Sequence, residues 1–84
     1  MGADITLSAN GYKIKGKQNV DLSWDGTNAD YMDIYRDNMD APHVTIANGG
    51  AHTDKIGVKG GGSYVYKVCE AGTGNCSGTV TVVF

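Results

Sequence analysis

The stretch from residue 63 to residue 84, SYVYKVCEAGTGNCSGTVTVVF, constrains the fold more than any other part of the chain. Tyr64, Tyr66 and Val68 recur at every second position in its first half, and Val80, Val82 and Phe84 do so in its second. A repeat of two puts alternate side chains on opposite faces of an extended strand. Between the runs lie Gly72, Thr73, Gly74 and Asn75, residue types that reverse a chain, and Cys69 and Cys76 flank them. This predicts strands over residues 63–70 and 77–84 joined by a turn. A lone hairpin is at best marginally stable in water, so the rest of the chain must supply strands that cover it.

Upstream, the same period recurs in short runs. Ile5, Leu7 and Ala9 alternate with Thr6 and Ser8 over residues 4–9, after which Asn10 and Gly11 predict a turn or break. Residues 12–17 read as a bent continuation whose lysines guard an edge against further pairing. Over residues 19–25, Val20, Leu22 and Trp24 share one face, and Trp24 continues an inward phase already set, which makes it a core residue rather than a surface aromatic. Residues 31–36 form a third strand with Met32 and Ile34 inward. Residues 43–47 and 51–56 are shorter strands, the latter ending where Thr53 and Asp54 are expected to bond local backbone. Residues 57–62 are a glycine-dense connection, not a phosphate loop, since no Gly-Lys-Ser/Thr ending or helix follows.

Seven short strands separated by turns describe an all-β, immunoglobulin-like sandwich. Its expected core is Val20, Leu22, Trp24, Ile34, Tyr64, Tyr66 and Val68. Thirteen glycines, five tyrosines and a single proline agree with strands and turns. Eighty-four residues make one domain, 1–84, with little room for a deep cleft, which argues against an enzyme.

A net charge of -2 and a pI near 5.4 give no overall positive field, so nucleic acid and anionic lipid are not expected partners. No apolar run approaches the roughly 20 residues of a membrane span. Met1 and Gly2 read as a start added to an excised fragment, with any export signal upstream in a longer precursor.

Candidate sites are few. Tyr31 and Tyr35, with Arg36 nearby, and Tyr12 near the other edge are candidates for binding, since Tyr and Arg are over-represented at interaction hot spots. The alternative is that the tyrosines cover a sheet by cross-strand pairing. Cys69 and Cys76 sit where strand ends face each other across a turn, which favours a disulfide over two free thiols and, with it, an oxidising compartment. The acidic turn at residues 37–42 offers Asp37, Asn38 and Asp40 as oxygen ligands, yet lacks the Gly and Glu positions of an EF-hand loop. No zinc-type spacing occurs, and His43 and His52 lack the neighbours of a catalytic triad, so no metal, cofactor or catalytic residue is assigned.

Four blocks together resemble a fibronectin type III domain: residues 20–24 (VDLSW), 32–36 (MDIYR), 52–54 (HTD) and 64–72 (YVYKVCEAG). The likeness spans nearly the whole chain. It implies that Trp24 is the core tryptophan of the second strand and that Tyr64 is the tyrosine corner of the sixth. More narrowly, residues 34–36, 53–54, 64–72, 75–77 and 79–84 resemble the C-terminal module appended to secreted bacterial subtilisin-like serine proteases and other exported hydrolases. That resemblance implies a non-catalytic, monomeric accessory domain attached to an upstream catalytic domain. Such a module either binds a substrate polymer, protein or polysaccharide, or acts as a spacer. The chain carries no Gly-x-Ser-x-Gly segment and no Arg-Gly-Asp tripeptide, so neither the protease activity nor integrin binding carries over. An adhesion or interaction module of an unrelated exported protein fits the same fold.

Overall fold

The computed structural model describes residues 5–37 and 39–84. Among them are seven strands and no helix: β1 (Thr6–Ile14), β2 (Lys17–Asp25), β3 (Tyr31–Arg36), β4 (Val44–Ala47), β5 (Ala51–Lys59), β6 (Ser63–Glu70) and β7 (Val80–Val83). They form two antiparallel sheets, one in the order β1-β2-β5 and one in the order β4-β3-β6-β7. The inward faces of the two sheets share one apolar core, which makes the fold a β-sandwich.

Face alternation explains the core. Val20 and Leu22 from β2, Met32 and Ile34 from β3, and Tyr66 and Val68 from β6 are all 1% exposed or less, and Trp24 is 7% exposed. Trp24 is therefore a core residue. Its indole NH donates to Asn48 Oδ1 at 2.9 Å, while the Asn48 amide donates to the Ala29 carbonyl at 2.7 Å, so the turn after β4 satisfies the one polar atom of the ring. Tyr64, the remaining expected core residue, is half-buried, with its ring edge-on to Phe84 at 6.0 Å between centroids.

The expected turn at Asn10 and Gly11 does not form. β1 runs straight through both, with Asn10 opposite Asp21 and Gly11 opposite Val20. The glycine serves a close approach instead. Along the inward face of β1 the side chains shrink from Leu7 to Ala9 to Gly11 as β7 closes in. A Cβ on Gly11 would lie 2.6 Å from Val82 Cγ1 and 3.1 Å from the Phe84 ring. The reversal falls at Lys15 and Gly16, with φ of 51° and 80°, the two-residue hairpin geometry whose twist matches its strands. Asp4, the expected start of this strand, lies outside the described residues.

Two further strands differ from expectation. β5 extends past residue 56 to Lys59, because Gly57, at φ 79°, carries a bulge in which Gln18 alone faces Ile56, Gly57 and Val58. β7 is shorter than residues 77–84. Cys76 bridges opposite Cys69, and four steps from there to Val80 meet only three from Cys69 to Tyr66, which breaks the ladder. Ser77 fills the gap by accepting the Val68 NH on its Oγ at 3.1 Å.

The close approach at Gly11 sets an expectation. Gly11→Ala forces the stiff Val82 side chain to move and is expected to lower the unfolding free energy by about 1–3 kcal/mol in denaturant titration. An unchanged midpoint would contradict the packing described.

Candidate functional site

Four binding candidates emerged from the sequence, and the structure distributes them over three environments. Tyr31 and Tyr35 lie on the outward face of β3, with Asp33 between them. Tyr31 is 58% exposed. Tyr35 is half-buried, with Lys67 Nζ from the neighbouring β6 seated 4.6 Å from its ring centroid, a cation–π contact that stiffens the ring. Asp33 accepts a hydrogen bond from Thr45 on β4. The outer face of the four-stranded sheet thus presents two tyrosines whose backbone positions lie about 13 Å apart along one strand.

Tyr12 belongs to the other sheet. Its hydroxyl donates to Asp21 Oδ1 at 2.9 Å, and Thr53 Oγ1 donates to the same oxygen at 2.8 Å. The hydrogen bond to Asp21 raises the Tyr12 phenol above its usual range. Thr53 therefore holds a side chain on the adjacent strand rather than local backbone.

Arg36 is not beside the tyrosines in space. It has the same parity as Met32 and Ile34, so it turns toward the interior, where Nη1 donates to Asp54 Oδ2 at 2.9 Å. Asp54 was expected to bond local backbone, but its side chain is 6% exposed and sits between the sheets. The Tyr66 hydroxyl, on a residue with no exposed surface, donates to Oδ2 at 2.7 Å, and His43 Nε2 approaches Oδ1 at 3.6 Å. Burial, and then the Asp54 carboxylate, push the Tyr66 phenol far above its ordinary range, so it stays a donor. The cluster thus holds the Asp54 charge in place between the sheets.

Two other polar clusters escaped the sequence. Gln18 has no exposed surface. It accepts the Tyr64 hydroxyl at 2.6 Å and donates to the carbonyls of Gly60 and Gly61 at 2.9 and 3.1 Å. The tyrosine-corner expectation for Tyr64 is thereby corrected: its hydroxyl reaches a side chain, and Gln18 makes the bonds to backbone. At the opposite end, Glu70 receives Thr27 Oγ1 at 2.6 Å, Thr73 Oγ1 at 2.7 Å and Asn75 Nδ2 at 3.0 Å. These donors, Thr27 first, hold its carboxyl below the usual glutamate range. They also order the loop that the Cys69–Cys76 disulfide closes. The signal for Asp54 and Gln18 was available: each lies in the inward phase of its strand, as Arg36 does.

At the acidic turn, Asp37, at φ 61°, accepts the Val65 NH of β6 at 2.9 Å, so its side chain ties the turn to a neighbouring strand and does not bond its own turn backbone. Asn38 lies outside the described residues. Among the described residues, no three His, Cys, Asp or Glu side chains gather as a metal site. Comparison with known proteins finds no match to a family model, to a curated protein or to a solved structure.

Two expectations follow. Asp54→Ala leaves the Arg36 guanidinium and the Tyr66 hydroxyl without their acceptor and should cost about 3 kcal/mol of stability, whereas Tyr66→Phe should cost less, because it removes one neutral donor. Equal losses would mean that the carboxylate is not the centre of the cluster. For Glu70 the folded carboxyl titrates below its unfolded value. It therefore adds stability above about pH 4.3, which is lost as pH falls through the lower folded value. Glu70→Gln should flatten the acid limb of the stability–pH curve, and an unchanged slope would remove Glu70 from the account.

Proposed function

We propose that this domain is a fibronectin type III-like, non-catalytic accessory module of an exported hydrolase, and that it engages an extended polymer through Tyr31 and Tyr35. One observation carries the reading. Of the five tyrosines, Tyr12, Tyr64 and Tyr66 spend their hydroxyls on partners inside the domain, while Tyr31 and Tyr35, among the described residues, do not. Two rings with free hydroxyls, on one rigid strand and on one face, suit an extended peptide or glycan that packs on the rings and hydrogen-bonds their edges.

Several features support the wider assignment. Two antiparallel sheets, seven strands among the described residues and a buried tryptophan on the second strand accord with the fibronectin type III resemblance, from which Tyr64 departs in its hydrogen bonding. The Cys69–Cys76 disulfide accords with an oxidising, extracellular setting. The parent protein, in this reading, is a secreted serine protease or related hydrolase whose upstream domain carries the catalysis, as the resemblance implies.

Amide-shift titration of the labelled domain with gelatin peptides, chitin oligomers and cellulose oligomers tests the proposal. One of the three should shift residues of β3 and its neighbours β4 and β6, and Tyr31→Ala with Tyr35→Ala should abolish the shifts. No response to any of them at millimolar concentration would sink the binding role and leave that of a spacer.

A further inference from the structure

The whole-chain charge argues against an anionic partner, but the distribution of charge does not. Five of the six lysines, Lys13, Lys15, Lys17, Lys55 and Lys59, gather at the β1–β2 hairpin and the facing end of β5, and all five are exposed. Register explains the clustering. Ile14, Lys17 and Lys59 stand opposite one another across the three strands, and Tyr12, Asn19 and Lys55 form the next row. No lysine of this group makes an ion pair among the described residues, whose two carboxylate contacts with cationic groups both belong to Asp54. The nearest acid on this face, Asp21, already accepts from Tyr12 and Thr53. Asp25, at the other end of β2, lies about 26 Å away along the strand, some three screening lengths at physiological salt. The local field at the hairpin is therefore positive although the chain is not.

The same end is also apolar. Ile14 is 54% exposed and Val58, on the other side of the sheet end, is 51% exposed, two of the four large hydrophobic residues that stand out on the surface among the described residues. Ile14 borders a groove of about 330 Å³ rimmed by Lys15, Lys17 and Lys55. An exposed aliphatic side chain bordered by ammonium groups suits an anionic bilayer surface. The Ile14 tip enters the headgroup boundary while the lysine stems bury their methylenes and leave the charges at the phosphates. Lysines act as point charges without the planar fork that reads one phosphate, which fits a diffuse anionic surface better than a defined ligand. The aromatic in these outward rows, Tyr12, is tied to Asp21, so stacking on a base or a sugar is not what this face is built for.

We propose that the β1–β2 hairpin end, through Lys15, Lys17, Lys55 and Ile14, docks the domain on anionic lipid headgroups. This surface lies on the three-stranded sheet and is independent of Tyr31 and Tyr35 on the other. Each lysine brought to an anionic surface strengthens partitioning by about fivefold.

Vesicle co-sedimentation tests the proposal, with phosphatidylcholine vesicles that either contain or lack phosphatidylserine. The domain should bind only the vesicles with phosphatidylserine and should be released by added salt. Lys15→Glu with Lys17→Glu should cut binding at least tenfold, and Lys55→Glu, on a different strand, should weaken it independently. Ile14→Ser should weaken it without changing its salt dependence. Amide spectra of each variant show that the fold is intact. No binding to the anionic vesicles, or binding that survives the lysine reversals, overturns the proposal. So does equal binding to soluble polyglutamate or heparin with no effect of Ile14→Ser, which would assign the patch to an acidic polymer instead.

Discussion

Burying one face of each sheet against the other is the constraint from which the rest follows. With a strand period of two, once Val20, Leu22 and Trp24 pack against Met32, Ile34, Tyr66 and Val68, every intervening residue is forced outward. With the inner face of each sheet committed to the other, the chemistry divides between the two outer faces and whatever polar groups the interior can satisfy. The division is clean here. The interior polar groups are spent on one another, and the outward rows of β3 and of the hairpin end of β1, β2 and β5 carry the side chains with unmet potential.

The interior clusters seal the sandwich where apolar packing gives out. Asp54, drawing on Arg36 and Tyr66, ties β5 to β3 and β6 across the gap between sheets. Gln18 ties β2 to the β5–β6 connection and to Tyr64. Glu70 closes the other end with Thr27, Thr73 and Asn75. An ion pair set between sheets is costly when half of it is missing, so such groups specify one alignment of the two sheets more than they add net stability. The disulfide acts on the unfolded chain instead. Closing a loop this short is worth about 2.5 kcal/mol in the chain-entropy picture.

Much of this was legible in the sequence because the core strands alternate without interruption. β3 and β6 fall at the boundaries read from the pattern, as do the inward phases of β2 and of the Tyr66–Val68 run. What stayed hidden has a common cause: residues whose role is set by a partner far away in the chain. Gly11 carries the composition of a turn, yet its glycine is demanded by Val82 and Phe84. Gly57 reads as loop and is a bulge within a strand. Asp54 and Arg36 were assigned by residue type to a strand end and to a surface, although their parity placed both inside. Of the proposed sites, the outward placement of Tyr31 and Tyr35 was readable from the period of two, whereas the lysine-rich end needed the register of three strands to bring residues 13–17 beside residues 55–59.

In the proposed binding role, Tyr31 and Tyr35 stand on β3 for a partner and not for the sheet. The measurement that tests it most directly is the unfolding free energy of the domain with both replaced by alanine. If the rings serve binding, the double variant should lie within about 1 kcal/mol of the parent, the Lys67 contact included, as exposed substitutions do. A loss of about 3 kcal/mol or more, the size of a core truncation, would show that they hold the sheet together and would contradict the account.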